Sequence, residues 1–193
     1  MSLRKEGSYG LVVISKDAYV KMSKFVLEHA GPAIPDKSKW REVFGLLGGR
    51  VNVGNCLVTE FFPMAVGESN YEVRLGPADY VRAVQFEEEL RQRDERLFHC
   101  GWMHSHFIGH EFSGVDVENQ LGWQAPNPYA FGLVYDPQLL SDENPGVCVL
   151  KLQDVSMGEA SPVDSLDFVI QKVRGNYETL LREELPEVFE VRW

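Results

Sequence analysis

The sequence predicts a mixed α/β fold, a central β-sheet flanked by helices in one domain. Three observations predict it. Apolar residues alternate between a period of two and a period of 3.6 along the chain. The resulting segments follow the order β-α-β-β-α-β-α-β-β-α. The 193 residues, 44% hydrophobic and 25% charged, suit one core rather than two. There is no internal repeat, low-complexity tract or linker.

Tyr9 to Ile14 is short, apolar and rich in β-branched residues, as a strand is. Ser15 caps a helix whose apolar stripe runs Tyr19, Met22, Val26 and Ala30, and Gly31-Pro32 ends it. His29 lies near that end, where a cation favours the helix dipole; it has no neighbouring ligand and reads as a packed or surface histidine. After a polar loop from Pro35 to Lys39, Trp40 to Gly49 forms a buried strand with Val43, Phe44, Leu46 and Leu47 nearly continuous. Cys56 to Pro63 pairs with it through a turn at Asn52 to Asn55, where Gly and Asn supply the positive φ of tight turns.

Met64 to Gly76 is a loop without a clear period, although Tyr71-Glu72-Val73-Arg74-Leu75 inside it alternates as a strand would. Pro77 opens a helix to about Arg93, with Tyr80, Ala83, Val84, Phe86 and Leu90 on its apolar face. Leu97 to His106 is the next strand, and Val115 to about Trp123 a short helix. Tyr129 to Tyr135 and Val147 to Val155 are two more strands, and Ser156 to Pro162 is a loop of small residues. A last helix is expected over about 164–185. There Leu166, Val169, Ile170, Val173, Tyr177, Leu180, Leu181 and Leu185 keep helical spacing before Pro186 stops it.

A net charge of -10 without a basic cluster argues against nucleic acid and anionic membrane surfaces as partners, and favours a partner with a basic face or tail. No apolar run approaches the roughly 18 residues of a membrane span, and the first residues lack the apolar region of a secretory signal. Cys56, Cys100 and Cys148 are odd in number and form no Cys-x-x-Cys pair, so they read as reduced, mostly buried thiols. A cytoplasmic location is the expectation.

The chemistry concentrates at the end of one strand, in Gly101-Trp102-Met103-His104-Ser105-His106, followed ten residues later by Asp116. Strand residues two apart face the same way, about 6 to 7 Å apart, so His104 and His106 can converge on one ion. Strict alternation puts His99 on the opposite face; Cys100 falls on the ligand face but about 13 Å back. Ser113 and Asp116 have capping-box spacing, which places Asp116 in a first helical turn where the dipole favours a carboxylate. Two neutral imidazoles and one carboxylate leave a fourth position for water, the pattern of a catalytic rather than a structural zinc site. His110 and Glu111 are rival ligands in the intervening loop. His104, His106 and Glu111 also match part of the cupin metal motif, but four helices contradict an all-β barrel. A metal hydrolase needs a base as well, and Glu42 and Glu60, each interrupting an apolar strand, both qualify.

Glu42-Val43-Phe44-Gly45-Leu46-Leu47-Gly48, Gly101 to His106 and Ser113 to Gln120 together resemble the JAMM (MPN+) metalloproteases. The resemblance runs from about Val12 to Val155 and is strongest to the deubiquitinating subunit of the proteasome lid and its archaeal relatives. It implies an MPN fold and a zinc isopeptidase acting on ubiquitin or a ubiquitin-like modifier. His104, His106 and Asp116 would hold Zn²⁺, Glu42 would be the general base and Ser113 an oxyanion donor. The family's insertion that adds a strand to the modifier's tail corresponds here to Met64 to Gly76, which nominates Tyr71, Val73 and Leu75 as substrate-binding residues. Ser156 to Pro162 corresponds to a second, variable insertion. A proteasome-like assembly or an MPN-domain partner is a further expectation, and the alternative activity is a non-catalytic modifier-binding module with a structural metal. Phe107 replaces the family's usual proline, and the loop from His106 to Asp116 is one residue shorter than its common pattern.

Overall fold

The computed structural model describes residues 10–68, 73 and 76–190. In chain order the elements are β1 (Val12–Ile14), α1 (Lys16–His29), β2 (Val43–Asn52), β3 (Asn55–Val66), α2 (Pro77–Arg93), β4 (Phe98–Ser105), α3 (Gly114–Gln124), β5 (Phe131–Leu140), β6 (Pro145–Leu152), β7 (Val163–Ser165), β8 (Phe168–Ile170) and α4 (Tyr177–Glu184). The strands form one sheet in the order β7-β6-β5-β4-β2-β3-β1-β8. β4 runs parallel to β5, and β1 runs parallel to both β3 and β8; the remaining pairs are antiparallel. The fold is therefore the mixed, helix-flanked sheet expected from the sequence.

The two faces of the sheet carry separate cores. Tyr19, Met22, Val26 and Leu27 of α1 pack on Val12, Leu47, Val58, Met103, Leu133 and Val149. Ser15 caps this helix, its hydroxyl accepting from the amide of Ala18 at 3.1 Å. Burying each large side chain contributes about 1.5–3 kcal/mol, so this face supplies much of the drive to fold. On the other face Phe86 and Leu90 of α2 pack on Phe44, Leu46, Met64 and Trp102. The β2–β3 turn is a two-residue turn with φ of 50° at Val53 and 76° at Gly54. Positive φ thus falls on a β-branched residue beside the glycine rather than on either asparagine.

Two sequence expectations are corrected. The helix expected over 164–185 is confined to Tyr177–Glu184, and the residues before it form β7 and β8. Leu166, Phe168 and Ile170 also alternate with a period of two, and pairing of β8 with the open edge of β1 overrides the helical pattern. Lys172, Gly175 and Asn176 all have positive φ, which no α-helix accommodates. The second correction concerns β4. Leu47 pairs with Gly101 but Gly48 with His99, which leaves Cys100 as an extra, bulged residue. The bulge returns Cys100 to the α1 side beside Met103, and turns His99 to the other face, where its ring meets Trp123 at 4.7 Å.

Candidate metal centre

The centre lies where β4 ends and α3 begins. β4 is a central strand, fixed by β2 on one side and β5 on the other, with Phe44 opposite His104 and Val134 beside it. His104 and His106 are both buried, with their rings 4.3 Å apart and nearly perpendicular. α3 starts at a complete capping box. The Ser113 amide and hydroxyl donate to Asp116 Oδ2 at 2.7 and 2.6 Å, so the carboxylate is fixed at the positive end of the helix.

Three candidate ligand residues converge. His104 Nε2 lies 3.1 Å from Asp116 Oδ1, His106 Nε2 lies 3.2 Å from Asp116 Oδ2, and the two Nε2 atoms are 2.7 Å apart. Tetrahedral zinc bonds of about 2.0–2.1 Å put ligand atoms about 3.3 Å apart, so the two imidazoles must part by about 0.6 Å to hold such an ion, while the histidine–Asp116 distances already fit. Both Nδ1 atoms are buried and, among the described residues, have no hydrogen-bond partner. Nε2 is the nitrogen each ring turns towards Asp116, and the donor set fits a borderline-soft divalent cation.

Electrostatics agrees. Burial alone would push the Asp116 carboxyl up, but hydrogen bonds from His104, His106 and Ser113 hold it far below the ordinary range. Burial lowers the His104 pKa below that of a free imidazole. Burial opposes charge on His106 too, yet its hydrogen bond and attraction to Asp116, with the field of Glu42, raise its pKa. The site is an anionic carboxylate facing two imidazoles, a cation receptor.

These groups open into a cleft of about 730 Å³ that also holds Glu42 and Ser113. Phe44, Trp102 and Phe112 line one part of it and Trp40, Phe107 and Ile108 another. Glu42 precedes β2 and is buried. Its position follows from a side-chain tie, because Ser105 Oγ accepts from the Val43 amide at 2.9 Å where the β2–β4 ladder stops. Glu60, the other candidate base, instead points to Arg93 at 3.0 Å and lies outside the cleft.

The rival ligands are placed elsewhere. His110 Nε2 donates to the Gly146 carbonyl at 2.9 Å, which directs the ring towards β6. Glu111 lines the cleft but is exposed and is not part of the ligand cluster. The short loop between His106 and Ser113 is held by the buried Asp136, which accepts the Gly109 amide at 2.7 Å, and by the Gln138 amide, which donates to the Phe107 carbonyl. Of the residues nominated for substrate binding, Val73 lines the cleft, whereas Tyr71 and Leu75 lie outside the described residues.

Residues 8–129 match the family model described as JAB1/Mov34/MPN/PAD-1 ubiquitin protease. The chain belongs to this family. A curated MPN-family relative, COP9 signalosome complex subunit 5 of Debaryomyces hansenii, is 33% identical over 134 residues, which is 67% of this chain and 26% of that protein. The chain therefore spans about a quarter of the length of that relative. Among solved structures, protein DSY2949 from Desulfitobacterium hafniense aligns with a TM-score of 0.55 at 20% identity, covering 83% of this chain and 92% of that one, a likeness of fold alone. The family match and the His104-His106-Asp116 cluster together support a metal-binding MPN domain of the JAMM type.

Sequence reasoning missed the groups that hold these ligands. Trp102 stacks on His104 at 5.0 Å, Ser105 ties down the strand beside Glu42, and Asp136 anchors the loop. The first two sit inside the metal motif, where residue type alone does not mark a stacking or tying role. Asp136 directly follows the apolar run Phe131 to Tyr135 of β5, a local sign that it has a partner.

Proposed function

We propose that this protein is a zinc-dependent isopeptidase that hydrolyses the bond between the C-terminus of ubiquitin, or a ubiquitin-like modifier, and a substrate lysine. The observation that carries this reading is a buried His104-His106-Asp116 cluster sharing one cleft with the buried carboxylate of Glu42. His104, His106 and Asp116 would hold the zinc, which when bound supplies a Lewis acid and lowers the pKa of the attacking water towards about 7. Glu42 takes the proton from that water and delivers one to the departing lysine amine. Ser113, at the N-cap facing the cleft, would turn its one hydroxyl proton from Asp116 Oδ2 to the developing oxyanion, while its amide keeps hold of the carboxylate and the positive end of α3 adds to the same field. Asp116 and Ser113 share a capping box, so one turn of helix sets both a ligand and a donor.

Val73 on the cleft wall supports a role for its segment in gripping an extended peptide, by strand addition of the modifier's tail. The chain's net negative charge supports a modifier with a basic tail. The family match supports the wider group; kinship with the proteasome-lid subunit in particular, and a place in a proteasome-like assembly, rest on the sequence motifs alone. The test is hydrolysis of a lysine-linked ubiquitin dimer, a linear modifier fusion and a short unstructured peptide, each with and without a zinc chelator. Chelator-sensitive cleavage of a modifier substrate is expected. Cleavage of the short peptide alone, or of none of the three, would contradict the proposal.

A further inference from the structure

Asp116 comes from a helix, His104 from a strand and His106 from the residue just past it, so metal binding depends on how α3 is seated on the sheet. The buried residues of α3 are Asp116, Gln120 and Gln124, one per turn and all polar. Gln120 Oε1 accepts from the Trp102 indole N–H at 2.7 Å, and its amide group donates to the Ala130 carbonyl at 2.9 Å and to Gln124 Oε1 at 2.8 Å. Gln124 in turn exchanges two hydrogen bonds with the backbone of Leu152, at 2.8 and 3.0 Å. The helix carrying Asp116 is thus bonded to β4, to the residue entering β5 and to β6.

Trp102 links this chain of amides to the ligands. It is fully buried, and its ring lies nearly parallel to His104 at 5.0 Å, to Phe44 at 5.6 Å and to Phe112 at 5.6 Å. The neighbouring strand leaves room for this stack, because a Cβ at Gly132 would approach Phe112 to 2.5 Å and Trp102 to 2.9 Å. Metal-binding histidines ordinarily donate their second ring nitrogen to a carboxylate or carbonyl, which fixes the ring's orientation. Among the described residues His104 Nδ1 has no such acceptor. A flat indole pressed on the imidazole does the orienting instead, and a stack can slide in its own plane unless something directional stops it. The indole N–H is the only directional group Trp102 has, and Gln120 accepts it.

We propose that Gln120 is a positioning residue for the metal centre, setting the His104 ring through Trp102 in place of a hydrogen-bond acceptor on the histidine itself. The proposal rests on the reading of the site as a zinc centre. Its test is zinc affinity of the full chain, measured by competition with a chromophoric chelator, together with the visible spectrum of the cobalt(II)-loaded protein. Gln120→Met keeps the volume and removes the acceptor; Trp102→Phe keeps a ring in the stack and removes the donor. Each is expected to weaken zinc binding by about 10- to 100-fold and to change the cobalt spectrum, and the double variant should lose little more than either alone. A purely structural Gln120 would lower the melting temperature of the metal-free protein while leaving zinc affinity and the cobalt spectrum as they are. Zinc affinity within threefold of the wild type in whichever variants fold, or losses that multiply in the double variant, would overturn the proposal. Failure of the unaltered protein to bind zinc would instead remove the zinc-centre reading beneath it.

Discussion

Helices α1 and α3 lie on opposite faces of the same sheet and are seated by opposite means. α1 is seated mainly by Ala18, Met22, Val26, Leu27 and the ring of Tyr19, whose attraction has no preferred direction, with two directional bonds added, from the Tyr19 hydroxyl to the Pro145 carbonyl and from the Tyr135 hydroxyl to Ser23. α3 buries Asp116, Gln120 and Gln124, groups that bond only in defined directions. An apolar seat gives stability and tolerates repacking; a fully satisfied polar seat fixes position at little net gain in stability. The difference separates holding the fold together from holding ligands to within a few tenths of an ångström.

The sharpest way to break the comparison is to remove a functional group from each helix. Asp116→Ala should abolish zinc retention and lower cleavage by at least about a thousandfold, read by metal analysis and turnover. Met22→Ala should cost about 2–5 kcal/mol in denaturant unfolding and leave zinc affinity unchanged in the folded fraction. Acid gives a second, smaller separation. The His106 pKa is raised, so below it zinc must displace a proton, and apparent zinc affinity should fall about tenfold per pH unit. The Met22→Ala variant should keep that slope. The smallest effect comes from the helix caps, where the two elements differ only in what the cap faces. Ser15→Ala should cost about 1 kcal/mol and spare activity, whereas Ser113→Ala should cost a similar amount and also slow turnover by about 10- to 100-fold.

Much of this was legible in the sequence. The stripe of α1, the apolar run of β2 and the His-x-His motif with its capping box each follow from one local rule, and each formed where expected. What was not legible depended on partners distant in sequence. β8 was hidden within a helical period because its partner, β1, lies some 150 residues earlier. The bulge at Cys100 needed the register of β2, and His110 needed the Gly146 carbonyl to draw it away from the ligands. The polar seat of α3 leaves no apolar stripe to read, since Gln120 and Gln124 carry no local sign that Trp102, Ala130 and Leu152 await them.

The central claim is hydrolysis by a water that Glu42 deprotonates at a metal held by His104, His106 and Asp116. It is tested most directly by Glu42→Gln, with zinc content and modifier cleavage measured on the same preparation. The account predicts about one zinc per chain, as in the unaltered protein, and turnover lower by about 10²- to 10⁴-fold. Zinc retained with full turnover would contradict it.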